Sequence, residues 1–299
     1  MDVKLLLDTD IGTNIDDAVC LAYLLANPEC DLIGITTVTG EAVKRAMMAS
    51  AICKVAERDV PIYPGAEVPL VIPQRQTVAQ QAVLLHKWDH DERFPKGEAM
   101  EFMRQTIREH PGEVILLTIA PLTNVGLLFS VDPRIPSLLK GVVSMCGRFF
   151  DPPPQSYGLV ERNAGSDYHA SSIVYRANLR THRSIGLDVT TRVAMNTDEF
   201  RQTFRGIRLF GPVLDFADVW FHEHEKIVFH DPLAAATIFD ESICQFEKGT
   251  VEIETQKEGQ EGFTKWTRGG QNPKHEVAVD VNPKRFFDHF LVSFGRACR

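Results

Sequence analysis

Residues 3–26 read VKLLLDTDIGTNIDDAVCLAYLLA, and the change of hydrophobic period inside this stretch decides the fold. Val3–Asp8 is an apolar run that breaks into the polar turn Asp10–Asn14. Ala18, Leu21, Ala22, Leu24 and Leu25 then recur at helical spacing within Asp17–Ala26. The next stretch repeats the pattern: Asp31–Val38 (DLIGITTV) reads as strand, Glu41–Glu57 as helix and Pro61–Tyr63 as a short apolar segment. A β-α-β-α-β order predicts a parallel sheet.

The alternation returns as helix Glu98–His110, strand Glu113–Ile119, helix Leu122–Phe129 and strand Lys140–Met145, then as helix Ser166–Ala177 and strand Ser184–Leu187. A helix is expected after Asp231, strands at Val251–Thr255 and Glu276–Val281, and a closing helix near Pro283–Phe294. Val71–Arg93 has no sustained period, and Arg148–Gln155, with three consecutive prolines, is expected to be a loop. No repeat or long linker divides the chain. The expectation is an α/β fold, one open, mostly parallel sheet flanked by helices with a Rossmann-like core, forming a single domain over residues 1–299.

Composition narrows the function. The 299 residues carry 32 Lys+Arg against 40 Asp+Glu, a net charge of −8 that disfavours a dedicated nucleic-acid binder. Apolar residues at 44% and charged residues at 24% describe a chain able to bury a full core, which excludes disordered and low-complexity classes. No apolar run approaches the roughly 18 residues of a membrane span. Asp2 and only three leucines before Asp8 are too little for a signal peptide, so a cytoplasmic protein is expected. Its six cysteines form no Cys-x-x-Cys pair and read as reduced core thiols.

In open parallel sheets ligands sit beyond the carboxyl ends of the strands. There the first strand places Asp8, Asp10, Asp16 and Asp17 within ten residues, with Gly12 permitting a tight turn. Two like charges about 4 Å apart cost around 4 kcal/mol at an effective dielectric of 20. Four converging carboxylates therefore call for a cation or an unusual protonation state, and hard oxygen donors favour Ca²⁺ or Mg²⁺. The alternative is that Asp16 and Asp17 complement a helix dipole while the other two are solvated. Two further segments supply partners. In ILLTIAPLTNVGLL, Thr123 is either a helix cap or the source of a backbone carbonyl for a hard cation. In IVFHDPLAAA, Pro232 suits the first helical position and Asp231 the cap, which leaves His230 unexplained.

Taken together these residues resemble the inosine-uridine preferring nucleoside hydrolase family. The resemblance rests on Asp-x-Asp-x-Gly…Asp-Asp-Ala, Pro-Leu-Thr-Asn and His-Asp-Pro in that order. TTVTGE, PIYPGAEVPL, SMCGRF and VERNAGSDYHA add to it, and it runs from about Val3 to Phe294. It implies calcium-dependent hydrolysis of the N-glycosidic bond of a ribonucleoside or related N-riboside, giving free base and ribose, in a homodimer or homotetramer with a role in purine or pyrimidine salvage. It also implies Ca²⁺ held by Asp10, Asp17, the Thr123 carbonyl and Asp231, with Asp10 as general base and His230 protonating the leaving group. Asp16, Glu161 and Asn163 would contact the sugar hydroxyls, and His86 resembles a second active-site histidine of some members.

Several positions depart from the family pattern. Two extra residues precede the Asp pair, Asn14 and Glu41 replace an Asp and an Asn, Gln155 stands near an expected Asn, and Cys146 replaces a Gly. These changes bear on the substrate more than on the reaction type. Two other readings compete: a non-catalytic calcium-dependent nucleoside- or sugar-binding protein, and a haloacid-dehalogenase-type phosphatase, against which Ile11 intervenes between Asp10 and Gly12. His222, Glu223 and His224 read as a solvated segment rather than metal ligands. Trp88, Trp220 and Phe221 suit packing at least as well as base stacking. Lys44–Arg45 reads as an exposed helix face.

Overall fold

Leu5, Leu6 and Leu7 are all buried, which a strand needs only when helices cover both of its faces. Leu5 and Leu7 join one hydrophobic cluster and Leu6 the other, so the twofold period of the strand divides the core into two layers. The computed structural model describes residues 2–150, 158–271 and 273–295. Its elements run β1 (Val3–Thr9), α1 (Asp16–Ala26), β2 (Cys30–Thr37), α2 (Ala42–Val55), β3 (Ile62–Pro64), a 3-10 helix (Gln80–Lys87), α3 (Ala99–Glu109), β4 (Ile115–Thr118), α4 (Thr123–Val131), α5 (Ile135–Leu138) and β5 (Gly141–Met145). They continue with α6 (Arg162–Ser166), α7 (Tyr168–Arg176), β6 (His182–Ile185), α8 (Leu187–Thr190), β7 (Ala194–Asn196), α9 (Thr197–Phe204), α10 (Phe210–Trp220), β8 (Lys226–Val228), α11 (His230–Phe239), β9 (Cys244–Ile253), β10 (Thr264–Arg268), β11 (His275–Val281) and α12 (Pro283–Val292).

The main sheet has nine strands in the order β10-β9-β11-β6-β5-β4-β1-β2-β3. β11 through β3 run parallel, and only β9 and β10 are antiparallel additions at one edge. This is the α/β architecture read from the sequence. From β1 the chain builds outward through β2 and β3, then returns to β4 on the other side of β1. The reversal opens a crevice beyond the ends of β1 and β4, where a doubly wound sheet places its ligand. Among the described residues no helix is long and apolar enough to cross a membrane, and the five described cysteines are buried and free.

Two expectations change. The helix expected over Ser166–Ala177 is broken at Asp167, whose carboxylate caps α7 through Ala170 N (3.0 Å). β9 begins at Cys244 rather than Val251 and pairs with β10, a strand with too little alternation to stand out. The stretch between Thr190 and Phe229 folds into α9, α10 and a small β7–β8 ribbon around a knot of Phe200, Phe204, Phe210, Phe216 and Phe229. Gln155, most of the proline loop and Cys298 lie outside the described residues.

His182 and His275 are buried under the β11 side of the sheet, 5.5 Å apart between ring centres. Burial lowers both pKa values, that of His182 well below the ordinary 6.5. The folded chain therefore keeps both rings neutral while the unfolded chain takes up protons below about pH 6.5. Their contribution is complete above that pH and is lost as pH falls through it, by about 1 kcal/mol per ring per pH unit. The buried carboxylates Asp8 and Asp16, whose pKa values are raised, act in the opposite sense, so the test is a difference between proteins. Between pH 7.5 and 5.5, urea unfolding should show His182→Gln faring better than the wild type by about 1 kcal/mol, and an equal change in both would exclude the assignment.

Candidate active site

At the end of β1 the chain turns sharply through Gly12, at φ +113°. A Cβ there would lie 2.8 Å from Met48 Sδ and 3.0 Å from Ala79 Cβ, so only glycine fits. The turn delivers Asp16 and Asp17 to the first turn of α1, where both are buried. Asp17 Oδ1 accepts from Thr9 Oγ1 (2.6 Å), and Asp16 Oδ2 accepts from the backbone N–H of Asp231 (3.3 Å) at the start of α11. Ligand oxygens of Asp16, Asp17 and Asp231 lie within 4.8 Å of one another, the one such group among the described residues.

Asp10 joins them on a cavity of about 260 Å³, together with Asn14, Glu161, Arg162, Asn163 and His230. Burial raises the pKa of every carboxylate in the cluster: that of Asp16 to about 6, those of Asp17 and Asp231 well above the ordinary range, and that of Asp10 in the same direction. Mutual repulsion adds to the rise at Asp17 and Asp231. Buried, oxygen-only and strongly acidic, this donor set fits a hard divalent cation. Thr123 opens α4 beyond β4. Its hydroxyl donates to Asp167 Oδ2 (2.8 Å), leaving the backbone carbonyl as its other oxygen.

The sequence placed four carboxylates of the first 17 residues together, but Asp8 is not on the cavity. It sits beneath, where Oδ1 accepts from Thr36 Oγ1 (2.6 Å) and Asn124 Nδ2 (2.8 Å), and burial pushes its pKa up to about 7. Asp231 supplies the fourth acid instead. Glu161 caps α6, with Oε1 accepting from Asn163 N (2.7 Å) and Oε2 from Gly147 N (3.0 Å) and Ala164 N (2.9 Å). Asn163 Nδ2 donates to Met145 O (2.9 Å), which turns its amide oxygen to other use. His230 lines the cavity with Nδ1 2.7 Å from Thr190 Oγ1. Burial, aided by Arg162, lowers its pKa to about 4, so the ring is neutral near pH 7.

His86 is not brought to this group: it is exposed on the 3-10 helix, with Nδ1 2.9 Å from Val83 O. His222, Glu223 and His224 follow α10, where His224 stacks on Trp220 at 3.5 Å. Trp88 packs toward α10 through a bond from Nε1 to Asp215 Oδ2 (2.9 Å).

The largest correction concerns α2. Lys44 is exposed and paired with Glu41, but Arg45 has no exposed surface. Its Nη1 donates to Asp10 O, Ile11 O (3.0 Å) and Thr13 Oγ1 (3.0 Å), its Nε to Gly40 O (2.9 Å) and its Nη2 to Val78 O (3.2 Å). The signal was present: Ala42, Arg45, Ala46, Ala49, Ile52 and Cys53 form one helical stripe. Glu41, at φ 61°, accepts from Ala79 N (2.9 Å) and ties the same loop to α2.

Asp17→Asn removes one charge from the cluster while keeping an acceptor for Thr9. The metal-free protein should gain about 1–3 kcal/mol, less than the roughly 4 kcal/mol of a fully charged pair because part of the cluster is protonated. The same variant should lose the rise in melting temperature that calcium gives the wild type. Thermal unfolding with calcium and with chelator reads both, and a retained calcium response would remove Asp17 from the metal site.

Comparison with known proteins agrees with this geometry. The family described as inosine-uridine preferring nucleoside hydrolase matches residues 5–288. Uridine nucleosidase 1 of Arabidopsis thaliana is 28% identical over 279 residues, covering 85% of this chain and 79% of that protein. The pyrimidine-specific ribonucleoside hydrolase RihA of Salmonella arizonae is 27% identical over 317 aligned positions, covering 96% and 97%. Among solved structures, the purine-preferring ribonucleoside hydrolase from Gardnerella vaginalis superposes with a TM-score of 0.83 at 22% identity, over 97% of this chain and 98% of that one. An inosine-guanosine nucleoside hydrolase gives 0.83 at 20% identity over the whole of both chains, so the fold is shared. With the family match spanning nearly the whole sequence, the chain belongs to the inosine-uridine preferring nucleoside hydrolases, enzymes that hydrolyse the N-glycosidic bond of ribonucleosides.

Proposed function

We propose that this enzyme is calcium-dependent, with Asp10, Asp17, Asp231 and the Thr123 carbonyl as metal ligands and Asp10 also as the base that takes a proton from the attacking water. The observation that carries the reading is the meeting of Asp10, Asp16, Asp17 and Asp231 on one cavity with Glu161, Asn163 and His230. Calcium, when bound, would lower the pKa of water and offer positions to sugar hydroxyls. Asp16, Glu161 and Asn163 are assigned to the ribose hydroxyls, fixing the anomeric carbon against the water.

Cleavage develops positive charge on the sugar and negative charge on the departing base. Asp10 removes one proton from water on the sugar side, and the balance closes when the base takes one up. His230 is assigned to the departing base, handing it a ring proton as the glycosidic bond breaks and regaining one from solvent; burial lowers its pKa, so the ring starts neutral. Asn14, a departure from the family pattern, meets Arg162 at 3.4 Å on the cavity wall, so the identity of the base is to be measured. A role in nucleoside salvage, a cytoplasmic location and a homodimeric or homotetrameric assembly belong to the same proposal.

A reducing-sugar assay over purine and pyrimidine nucleosides, with and without calcium, tests the reading. Sugar release should require calcium, and activity in chelated protein would contradict the scheme. Asp10→Asn should lower kcat by about 10²–10⁴ while the chain stays folded by circular dichroism. His230→Ala should cost less, about 10-fold to 100-fold, because it removes the partner of the departing base and leaves water activation at Asp10 in place. Undiminished turnover in Asp10→Asn would end its assignment as the base.

A further inference from the structure

We propose that Arg45 and Gln76 are positioning residues for Asp10, gripping it from its main-chain and carboxylate ends at once. The proposal deepens the assignment of Asp10 as metal ligand and base and rests on that reading. The contacts close into a ring. Arg45 Nη1 donates to the Asp10 carbonyl and to Thr13 Oγ1, and Gln76 Nε2 donates to the same Thr13 Oγ1 (2.7 Å) and to Asp10 Oδ2. Asp10 thus has its backbone and its carboxylate tied through one shared hydroxyl, which restrains both the peptide plane and the rotation of the carboxylate.

Three further observations separate this arrangement from ordinary packing. Arg45 is a charged side chain with no exposed surface, and its four contacts besides Thr13 are all backbone carbonyls, on three separate segments: Asp10 and Ile11, Gly40, and Val78. Its fork therefore fixes the loop that carries Asp10 against two neighbours. Gln76 is nearly buried, and its Oε1 has no partner among the described residues. An amide that satisfies its donors on Asp10 and Thr13 while its acceptor goes unmet is oriented by those donors. The loop carrying Gln76 is itself anchored: Gly40 N donates to Gln76 O (3.1 Å), Gln81 N to Gly12 O (3.1 Å) and Gln81 Nε2 to Thr13 O (3.0 Å). Supporting bonds of this kind set the orientation of metal ligands, and their loss typically costs about 10-fold to 100-fold in metal affinity or activity.

The test uses the full-length chain as wild type, Gln76→Leu, Arg45→Lys and the double variant. Calcium affinity is measured by calorimetry, and kcat and KM are measured with the nucleoside the panel identifies. Gln76→Leu should lower kcat and calcium affinity each by about 10-fold or more, with KM within about threefold and cooperative melting retained. Arg45→Lys keeps a cation but not the fork, and should lose a similar factor. Because both act through Asp10, the double variant should fall little below the worse single variant. If Arg45→Lys does not fold, Thr13→Val, which removes the shared hydroxyl, replaces it in the cycle.

Unchanged kcat and calcium affinity in Gln76→Leu would overturn the proposal, as would single losses that multiply in the double variant. A lower melting temperature with kcat and affinity intact would show a merely structural role and also overturn it. If the wild type cleaves no nucleoside, the functional reading fails by itself and calcium affinity decides here: a 10-fold weakening upholds the positioning role, and no change removes it. A wild type with neither activity nor calcium binding overturns both.

Discussion

Withdrawing Asp10, Asp16, Asp17 and Asp231 from water at one end of a sheet sets a charge that the surrounding chain has to compensate from within. Thr9, Gln76 and the Asp231 N–H each supply one donor, and Arg45 supplies the one guanidinium with no exposed surface among the described residues. These fall short of four ionised carboxylates, which is why burial drives their pKa values upward in the metal-free chain. A divalent cation closes the deficit, and the same deficit gives the site its affinity for one. Ion and acids are therefore one electrostatic unit.

The sheet makes that unit possible. β1 lies between β2 and β4, at the place where the chain reverses its direction of building, so the loops after β1 and β4 diverge and leave a crevice. Asp10 comes from the first loop, while α11 brings His230 and Asp231 across from the far half of the chain. Asp167 joins the two sides of this arrangement. It breaks what would have been one helix, and it accepts from the Thr123 hydroxyl and from Leu70 N (2.8 Å).

Much of this was legible in the sequence, and the reasons differ by element. The strand-to-helix change in Val3–Ala26 is a local signal and appears where expected; the Asp231–Pro232 signal also marks a helix, but one that starts at His230, with Asp231 in its first turn and not at its cap. Asp16, Asp17 and Asp231 carry unusual chemistry at strand or helix ends, where polar residues are informative. Asp8 misled because alternation puts it on the face of Asp10 without saying how deep it lies. Arg45 was read as solvated because charge was weighed above its position in an apolar stripe. Gln76 gave no local signal, since an uncharged amide in an aperiodic loop acquires meaning only from Asp10 and Thr13. His86 was carried by likeness alone, and its own residue spacing offered nothing to check it.

The bond from Asp231 N to Asp16 spans 215 positions, and the one from Asn124 to Asp8 spans 116. Closures of that length come late, because the entropy of bringing such distant segments together is recovered only once the intervening strands have docked. The carboxylate cluster is thus completed near the end of folding, and a metal ion has no assembled partner in the transition state. Its binding energy accordingly accrues to the native side of the barrier, where it slows escape from the folded state and leaves the rate of folding nearly untouched.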